Sequence, residues 1–289
     1  MGTELKNRTK QNIGFIGAGK VGITLGAYFR SKGLEISGYS SRDLQSSISA
    51  AKITSSIAFP KMSDLLATSE IIFISTLDSA IANVWQTIKK CDIKDKIICH
   101  LSGSISSDVF CGIGAVGAFG YSVHPMFAFS SKEGNYEGLK DACFTIEGFE
   151  ERMDDIKGIF RRTGNKTFVI DKNKKTLYHA SNVMASNLVT ALLSIAVKSF
   201  EKCDISEGEA LNALLPLIRG NIENIAKKGF PNSLTGPAER NDIETTSKHL
   251  KVLNEDEGLI YGLLTKELVN ISKVKNPNRD YSKILKLFE

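Results

Sequence analysis

Three glycines near the start of the chain have the spacing of a phosphate-binding loop. Gly17, Gly19 and Gly22 lie in "NIGFIGAGKVGITLGAYF", between a short apolar run and a segment of helical period. In such a loop the first glycine allows a tight turn, the second lets the backbone approach a pyrophosphate, and the third lets helix and strand pack closely. Lys20 and Val21 stand at the helix start, where free amides hold phosphate oxygens. The alternative is a turn of purely structural use.

The end of the second predicted strand indicates which dinucleotide the loop would bind. A site for NAD usually has Asp or Glu there, about twenty residues after the loop, to bind the ribose 2′-hydroxyl. Here the sequence "SGYSSRD" offers Ser40, Ser41 and Arg42, all good donors to a 2′-phosphate. Asp43 comes too late and is expected to start the next helix. The sequence therefore predicts NADP(H), with a surface arginine after a turn as the alternative.

Polar side chains follow the next three predicted strands, where an open sheet of this class gathers its reacting groups. Thr76 follows the third strand and is expected to contact the cofactor. Ser102 follows the fourth strand in "HLSGS", and His124 follows the fifth in "GYSVHPMFAF". Because hydride transfer to a carbonyl needs a substrate held in place, Ser102 and His124 are candidate substrate-binding residues. Alternatively, His124 with the following proline fixes a turn.

An uncharged segment of helical period, 176–197, supplies candidate catalytic groups. Small polar side chains recur in it every three or four residues, at His179, Asn182, Ser186, Thr190 and Ser194. On a single helix they would share one face, which predicts a helix buried all round with a polar stripe lining a cleft or meeting another helix. His179 is the candidate proton donor and Asn187, beside the stripe, the candidate orienting residue. Polar packing in a dimer core is the alternative.

A last candidate lies in "SLTGPAERNDIETTSKHL", residues 233–250. A turn at Thr235-Gly236-Pro237 leads to Asn241 or Asp242 as a helix cap. Arg240 could bind a substrate carboxylate through its guanidinium fork. A surface ion pair near a helix start is the alternative for Arg240.

The order of elements predicts an α/β fold with two domains. Strands alternate with helices up to about residue 171, which is typical of a mostly parallel Rossmann-type sheet. The strand candidates are 12–16, 33–40, 70–76, 95–103, 114–126, 141–148 and 166–171, with a charged helix near 149–162. Beyond them only helical periods occur, over 176–203, 206–228, 241–252 and 256–273. We therefore expect an NADP-binding domain over 1–172 and a helical substrate and dimerisation domain over 173–289.

Composition narrows the class of protein. The net charge of +5 comes from scattered lysines, which favours a small anionic ligand and argues against nucleic acid. Five cysteines without close pairs indicate reduced thiols, and no histidine or carboxylate spacing suggests a metal. The polar N-terminal stretch has no apolar core for a secretory signal, and the polar residues of 176–197 argue against a membrane span. These features predict a cytoplasmic protein without a membrane partner.

Five segments together resemble a known family. "GFIGAGKVG", "HLSGS", "SVHPMFAF", "LYHASNVMASNLVTALL" and "LTGPAERNDIETTSKHL" look like the paired Rossmann-like and DUF2520 domains of NADP-dependent oxidoreductases. The resemblance runs from about residue 12 to 270. The wider superfamily includes 6-phosphogluconate dehydrogenase-like enzymes, pyrroline-5-carboxylate reductases and ketopantoate reductases, and some DUF2520 members are similar to an alternative ketopantoate reductase of pantothenate synthesis.

The resemblance implies a reaction and a set of roles. Ordinary ketopantoate reductases carry a lysine on the first helix of the second domain, with asparagines one and two turns later. By spacing, His179 falls at the lysine, Val183 at the first asparagine and Asn187 at the second. The implied function is NADPH-dependent reduction of a small 2-oxo acid, preferably ketopantoate. The alternatives are an imine reductase of the pyrroline-5-carboxylate type and a non-catalytic NADP(H)-binding protein. Apart from the resemblance, the uncharged segment 176–197 suggests a homodimer, because an apolar helix often needs a partner to cover it; a compact monomer with this helix at its centre is the alternative.

Overall fold

The computed structural model describes residues 11–129 and 136–289 and divides into two compact units, Met1–Ala185 and Ser186–Glu289. Most of the polar N-terminal stretch behind the predicted absence of a secretory signal lies outside the described residues. The expected domain boundary between residues 172 and 173 stays a prediction. The two compact units divide after Ala185.

The first unit is built on an eight-stranded sheet of order β3-β2-β1-β4-β5-β6-β7-β8. All neighbouring strands are parallel except β6 and β7, which pair antiparallel. The predicted α/β fold with a mostly parallel sheet is confirmed. The strands are β1 Ile13–Ile16, β2 Ile36–Ser40, β3 Ile57–Ala58, β4 Ile71–Ile74, β5 Ile97–His100, β6 Phe119–Pro125, β7 Phe144–Gly148 and β8 Thr167–Val169.

Helices cover both faces of this sheet, which explains why β1, β4 and β5 are buried at every residue. One face packs on aromatic residues such as Phe29 and Phe160, and the other packs around Trp85. The helices of this unit are α1 Lys20–Ser31, α2 Leu44–Thr54, α3 Met62–Thr68, α4 Asp78–Ile88, α5 Met153–Thr163 and α6 Lys175–Met184. The two-residue strand β3 was not predicted, because so short a strand has no readable alternation.

The long helix predicted over 176–203 is in fact two helices. The chain leaves helical geometry at Ser186, where φ is −130° and ψ is −81°. Ser186 and Asn187 side chains bond to each other there (3.2 Å), and such short polar groups compete with the helical backbone. The single polar stripe predicted from His179 to Ser194 is therefore wrong.

The second unit consists of helices in its described part. They are α7 Asn187–Glu201, α8 Glu207–Ser233, α9 Pro237–Arg240, α10 Ile243–Val252, α11 Glu255–Lys275 and α12 Ser282–Leu285. A small cluster of Val269, Tyr281 and Ile284 is buried there. The helix α8 is kinked at Gly229, whose φ is +71°.

The stretch Lys172–Glu201 is apolar but exposed. By length and composition it could cross a membrane. Its most apolar 18 residues have a mean hydropathy of 1.6, and only 6% of them are buried. The prediction that it is buried all round is wrong, since Leu177 and Leu188 are 72% and 52% exposed. Apolar side chains need cover from water, and the described residues of this chain do not supply it. The expected absence of a membrane partner stays a prediction.

Candidate functional site

A cleft of about 1190 Å³ opens at the carboxyl ends of β1, β2 and β4. From β1 the strand order runs through β2 to one edge of the sheet and through β4 to the other, so the cleft lies at the topological switch point where such sheets bind ligands. We call it the glycine-loop cleft. Its lining includes eight of the nine residues predicted to bind cofactor, namely Gly17, Gly19, Lys20, Val21, Ser40, Ser41, Arg42 and Thr76, with Asp43 beside them from the start of α2.

A side chain at each glycine of the loop would meet different surroundings, so each glycine is favoured for a different steric reason. Gly17 has φ of +107°, and a side chain there would meet the Ser75 backbone at 3.0 Å. At Gly22 a side chain would collide with the Ser75 hydroxyl, which instead donates to Gly17 O at 2.9 Å. A side chain at Gly19 would meet nothing within 4 Å, so the backbone there is open to a ligand.

The start of α1 faces this opening. Gly19 is the N-cap and provides no side-chain cap, and the first turn holds no acidic residue. No side chain therefore caps the start of the helix, and the helix dipole favours negative charge there. Lys20 and Val21 line the cleft at this point. This geometry suits a pyrophosphate.

The far end of the cleft carries hydroxyl and guanidinium donors, and the carboxylate beside them is engaged in a helix cap. Asp43 caps α2, as predicted, because its carboxylate accepts from Gln45 N and Ser46 N, both at 3.1 Å. Ser41 donates to Asp43 O at 2.5 Å and accepts from Ser47, while Arg42 is exposed on the cleft wall. The one carboxylate nearby is thus engaged in the cap, and the remaining groups suit a phosphate.

Just after β5, Ser102 forms a polar pair with Asp78 in the first unit. Ser102 Oγ donates to Asp78 Oδ2 at 2.6 Å and accepts from Ile105 N at 3.0 Å. Asp78 is the first residue of α4 and directly follows Leu77, which lines the glycine-loop cleft. The Ser102 hydroxyl therefore already donates its hydrogen bond to a carboxylate. The predicted contact between Ser102 and a substrate carboxylate would require the hydrogen bond to Asp78 to break.

His124 lies in a chain of hydrogen bonds at the end of β6. Its Nδ1 is 2.8 Å from the hydroxyl of Tyr178, which accepts from Thr145 Oγ1, also at 2.8 Å. Burial, then the charges of Lys175 and His179, lower the pKa of His124 to about 4, against the opposing effect of Asp78. Its imidazole is neutral at neutral pH. Its role is thus more than a turn before Pro125.

His179 faces His124 across Gly103. A side chain at Gly103 would meet His179 Nδ1 at 2.5 Å and His124 Nε2 at 2.9 Å, so both nitrogens point at this glycine. The two rings are nearly perpendicular, with centroids 6.2 Å apart. His179 Nδ1 is buried and has no hydrogen-bond partner among the described residues. An unpaired buried nitrogen beside a neutral imidazole is a place for a ligand oxygen.

A buried lysine completes this region. Lys175, 1% exposed, donates from Nζ to Ser122 Oγ at 2.5 Å. Burial lowers the pKa of Lys175 to about 8, while Glu147 and Asp78 oppose that shift. A buried ammonium with so little compensation is unusual away from functional sites. We call Gly103, His124, Lys175, Tyr178 and His179 the histidine cluster.

Sequence reasoning missed Gly103 and two of the four side chains of the histidine cluster, Lys175 and Tyr178. Lys175 ends the run "KNKK" and reads as one more surface lysine. Tyr178 precedes His179 in "LYHA", where attention falls on the histidine. Nothing in the sequence places these side chains beside β6, which lies 53 residues earlier at Ser122.

Two predicted site residues belong to the second unit. Asn187 is the first residue of α7, and the continuous helix that put it two turns from His179 is absent. Arg240 ends α9 and is exposed, next to Asp242, which caps α10 by accepting from Thr245 N at 3.0 Å. The predicted cap at Asp242 is confirmed, while the roles of Asn187 and Arg240 stay predictions.

A glycine loop at the switch point of a mostly parallel sheet defines a dinucleotide-binding protein of the Rossmann class. Residues 3–125 match the family model of a Rossmann-like domain, and residues 142–268 match DUF2520, a domain of unknown function. The chain thus combines a Rossmann-like domain with a DUF2520 domain, and the resemblance inferred from the motifs is confirmed. Among curated proteins, none matches the sequence.

Solved structures share the fold over nearly the whole chain. Protein TM1727 from Thermotoga maritima is 26% identical, with a TM-score of 0.73 over 91% of this chain and 99% of that one. BF3122 from Bacteroides fragilis, assigned as an NADP oxidoreductase, is 23% identical, with a TM-score of 0.68 over 90% and 98%. Pyrroline carboxylate reductase from Plasmodium falciparum, with NADP bound, is 14% identical, with a TM-score of 0.58 over 93% and 98%.

Proposed function

We propose that the protein is an NADPH-dependent reductase of a small 2-oxo acid, with ketopantoate as the preferred substrate. The observation that carries the proposal is the far end of the glycine-loop cleft, where Ser40, Ser41 and Arg42 replace the usual acid and Asp43 is engaged as a helix cap. Similar structures named as NADP oxidoreductases or solved with NADP support the same cofactor.

The order of strands gives the cofactor a direction. Its adenosine phosphate would lie at the end of β2 and its pyrophosphate at α1, so its nicotinamide half would extend toward β4 and β5. The histidine cluster lies at the ends of the next strands, and neighbouring strands are about 4.8 Å apart. A substrate carbonyl between the two sites would be within reach of both.

In this proposal the cofactor supplies hydride to the carbonyl carbon, and the chain handles the oxygen. His179 gives the proton to the developing alkoxide, and His124 binds the substrate oxygen beside it. Arg240 is proposed to bind the carboxylate and Asn187 to orient the carbonyl. Ser102 is a second carboxylate candidate, at the expense of its bond to Asp78.

The test is an assay of NADPH oxidation by the purified protein with ketopantoate and a panel of other oxo acids. We expect turnover, and we expect His179→Ala to lower kcat while the Kd for NADPH, measured by calorimetry, stays unchanged. Turnover that survives His179→Ala intact would remove His179 from the mechanism. Binding of NADPH without turnover of any substrate would favour a non-catalytic binding protein.

A second candidate is an imine reductase of the pyrroline-5-carboxylate type. It is favoured by the likeness to pyrroline carboxylate reductase and by the low pKa of His124, which leaves that imidazole neutral at neutral pH, without an acidic proton to give. An imine nitrogen can arrive protonated, so such an enzyme needs no strong general acid. Reduction of pyrroline-5-carboxylate, unaffected by His179→Ala, would select this candidate.

We further propose that the protein is a cytoplasmic homodimer that buries the apolar surface of the second unit. Helices α7 and α8 pack together and leave large apolar side chains exposed: Leu188, Val189, Leu192, Leu211, Leu215, Leu217, Ile222 and Phe230. A second copy offers the same surface and suits a symmetric contact. Sedimentation should give a dimer that Leu188→Glu dissociates and Ile57→Glu, on the exposed edge strand β3, leaves intact. A monomeric wild type would overturn this.

A further inference from the structure

The hydrogen bonds at Tyr178 fix which nitrogen of His124 carries its proton. Thr145 Oγ1 donates to the Tyr178 oxygen, and hydrogen bonds from Thr145 and Asn182 oppose the rise that burial causes in the Tyr178 pKa. With donors directed at its oxygen, the phenol uses its own proton for His124 Nδ1, 2.8 Å away. A neutral imidazole that accepts at Nδ1 carries its proton at Nε2.

The geometry aims this Nε2–H at an open point of the chain. His124 Nε2 and His179 Nδ1 both face Gly103, within 2.9 Å and 2.5 Å of where a side chain would begin. His179 Nδ1 has no other partner in the described residues. Two imidazole nitrogens that converge over a glycine can both contact one oxygen atom of a ligand.

Burial first, and then its charged neighbours, keep His124 from becoming an imidazolium. Lys175, on α6, places an ammonium near the ring, which disfavours a second positive charge there, and Asp78, on α4, opposes this effect. His179 is the other titratable group that faces it. His124 therefore acts as a neutral hydrogen-bond donor, which can polarise a carbonyl without giving up its proton.

We propose that Tyr178 is a positioning residue that holds His124 as the Nε2–H tautomer, so that His124 and His179 together receive the substrate oxygen over Gly103. The role in catalysis rests on the proposed reductase function, while the tautomer does not. Tyr178 acts through His124 and need not touch the substrate itself.

The tautomer is tested first, in the full-length protein without substrate. Long-range proton–nitrogen NMR distinguishes the two nitrogens of each imidazole, and a His124→Gln spectrum assigns the signal. We expect Nε2–H for wild-type His124 at neutral pH, and a loss of that preference in Tyr178→Phe. In Tyr28→Phe, which loses a hydroxyl bonded to Thr163 O and Asn165 away from the cluster, the preference should remain. A wild-type Nδ1–H tautomer, or no change in Tyr178→Phe, would overturn the proposal.

Kinetics then test the catalytic part. Because one neutral hydrogen bond is lost, Tyr178→Phe should lower kcat about tenfold while the Kd for NADPH stays unchanged. His124→Gln, whose amide nitrogen can reach the Nε2 position, should keep more activity than His124→Asn, which reaches only the Nδ1 position. Equal activities of those two variants, or an unchanged kcat in Tyr178→Phe, would overturn it. If no substrate is turned over but the NMR result holds, the proposed function fails and the tautomer assignment stands.

Discussion

The glycine-loop cleft and the histidine cluster both lie at the carboxyl ends of strands in the same sheet, but they are formed by different kinds of chemical group. The cleft is mostly backbone: helix amides, a loop with φ of +107° at Gly17, and open space at Gly19. The cluster is made mostly of side chains from β6 and α6, joined by hydrogen bonds across more than fifty residues of sequence.

This difference predicts a separation of effects. Backbone amides suit the pyrophosphate that every dinucleotide carries, so changes in the cleft should alter cofactor binding and leave the chemistry of bound substrate intact. Imidazole nitrogens suit an oxygen whose charge develops during reaction, so changes in the cluster should alter kcat and leave cofactor binding intact.

The largest effect is expected for Gly103→Ala. The added carbon would meet two imidazole nitrogens at 2.5 and 2.9 Å and push both rings aside, and displacement of reacting groups by about 1 Å can cost about a hundredfold in rate. We expect kcat to fall by about that factor and the Kd for NADPH to stay within twofold of wild type (~0.4 kcal/mol). Gly114→Ala is the control, since a side chain there meets nothing within 4 Å. A large loss of NADPH binding in Gly103→Ala would break the separation.

The next effect belongs to the cleft. Arg42→Ala should raise the Kd for NADPH roughly tenfold to a hundredfold, because a charge-assisted hydrogen bond contributes about 1.5–3 kcal/mol. NADH lacks the 2′-phosphate, so its Kd should not change. Arg161→Ala removes an equal charge from the exposed face of α5 and serves as the control. Calorimetry with both nucleotides decides it, and equal losses for NADPH and NADH would remove Arg42 from cofactor selection.

The effect that is smallest when taken per unit of pH concerns stability and the buried Lys175. Its pKa in the folded protein is about 8, below the ordinary 10.5, so between these values the unfolded chain holds more protons and stability rises with pH. Below pH 8 the lysine is charged in both states and its burial opposes folding. Lys175→Met should therefore flatten that rise, by up to about 1.4 kcal/mol for each pH unit in the window.

Denaturant unfolding at several values of pH measures this. Lys174→Met, an exposed lysine one residue earlier, is the control and should keep the wild-type slope. If Lys175→Met unfolds with the wild-type dependence on pH, Lys175 is not the buried ammonium described above.

The sequence was a good guide wherever the signal is local. The glycine spacing, the apolar runs of β1 and β4, and the caps at Asp43 and Asp242 all depend on a few neighbouring residues, and the structure has each of them. The absence of an acid after β2 was equally readable, because it is a matter of which residue stands at one strand end.

It was a poor guide where a pattern was extended too far. The periodic polar residues from His179 to Ser194 predicted one helix, but Ser186 and Asn187 side chains bond locally and the helix ends before them. The prediction that this segment is buried was also wrong. An apolar side chain indicates that a residue is covered from water, but it does not indicate whether the same chain or a partner covers it.

By itself the sequence determined the class of fold, the position of the phosphate loop and the absence of an acid at the end of β2, because these follow from backbone geometry and from which residue stands at a strand end. Only the tertiary structure decided that Lys175 meets Ser122, that Tyr178 meets His124 and that two imidazoles converge on Gly103. Those contacts depend on how α6 packs against β6 and β7, and no spacing along the chain encodes the packing of two elements that far apart.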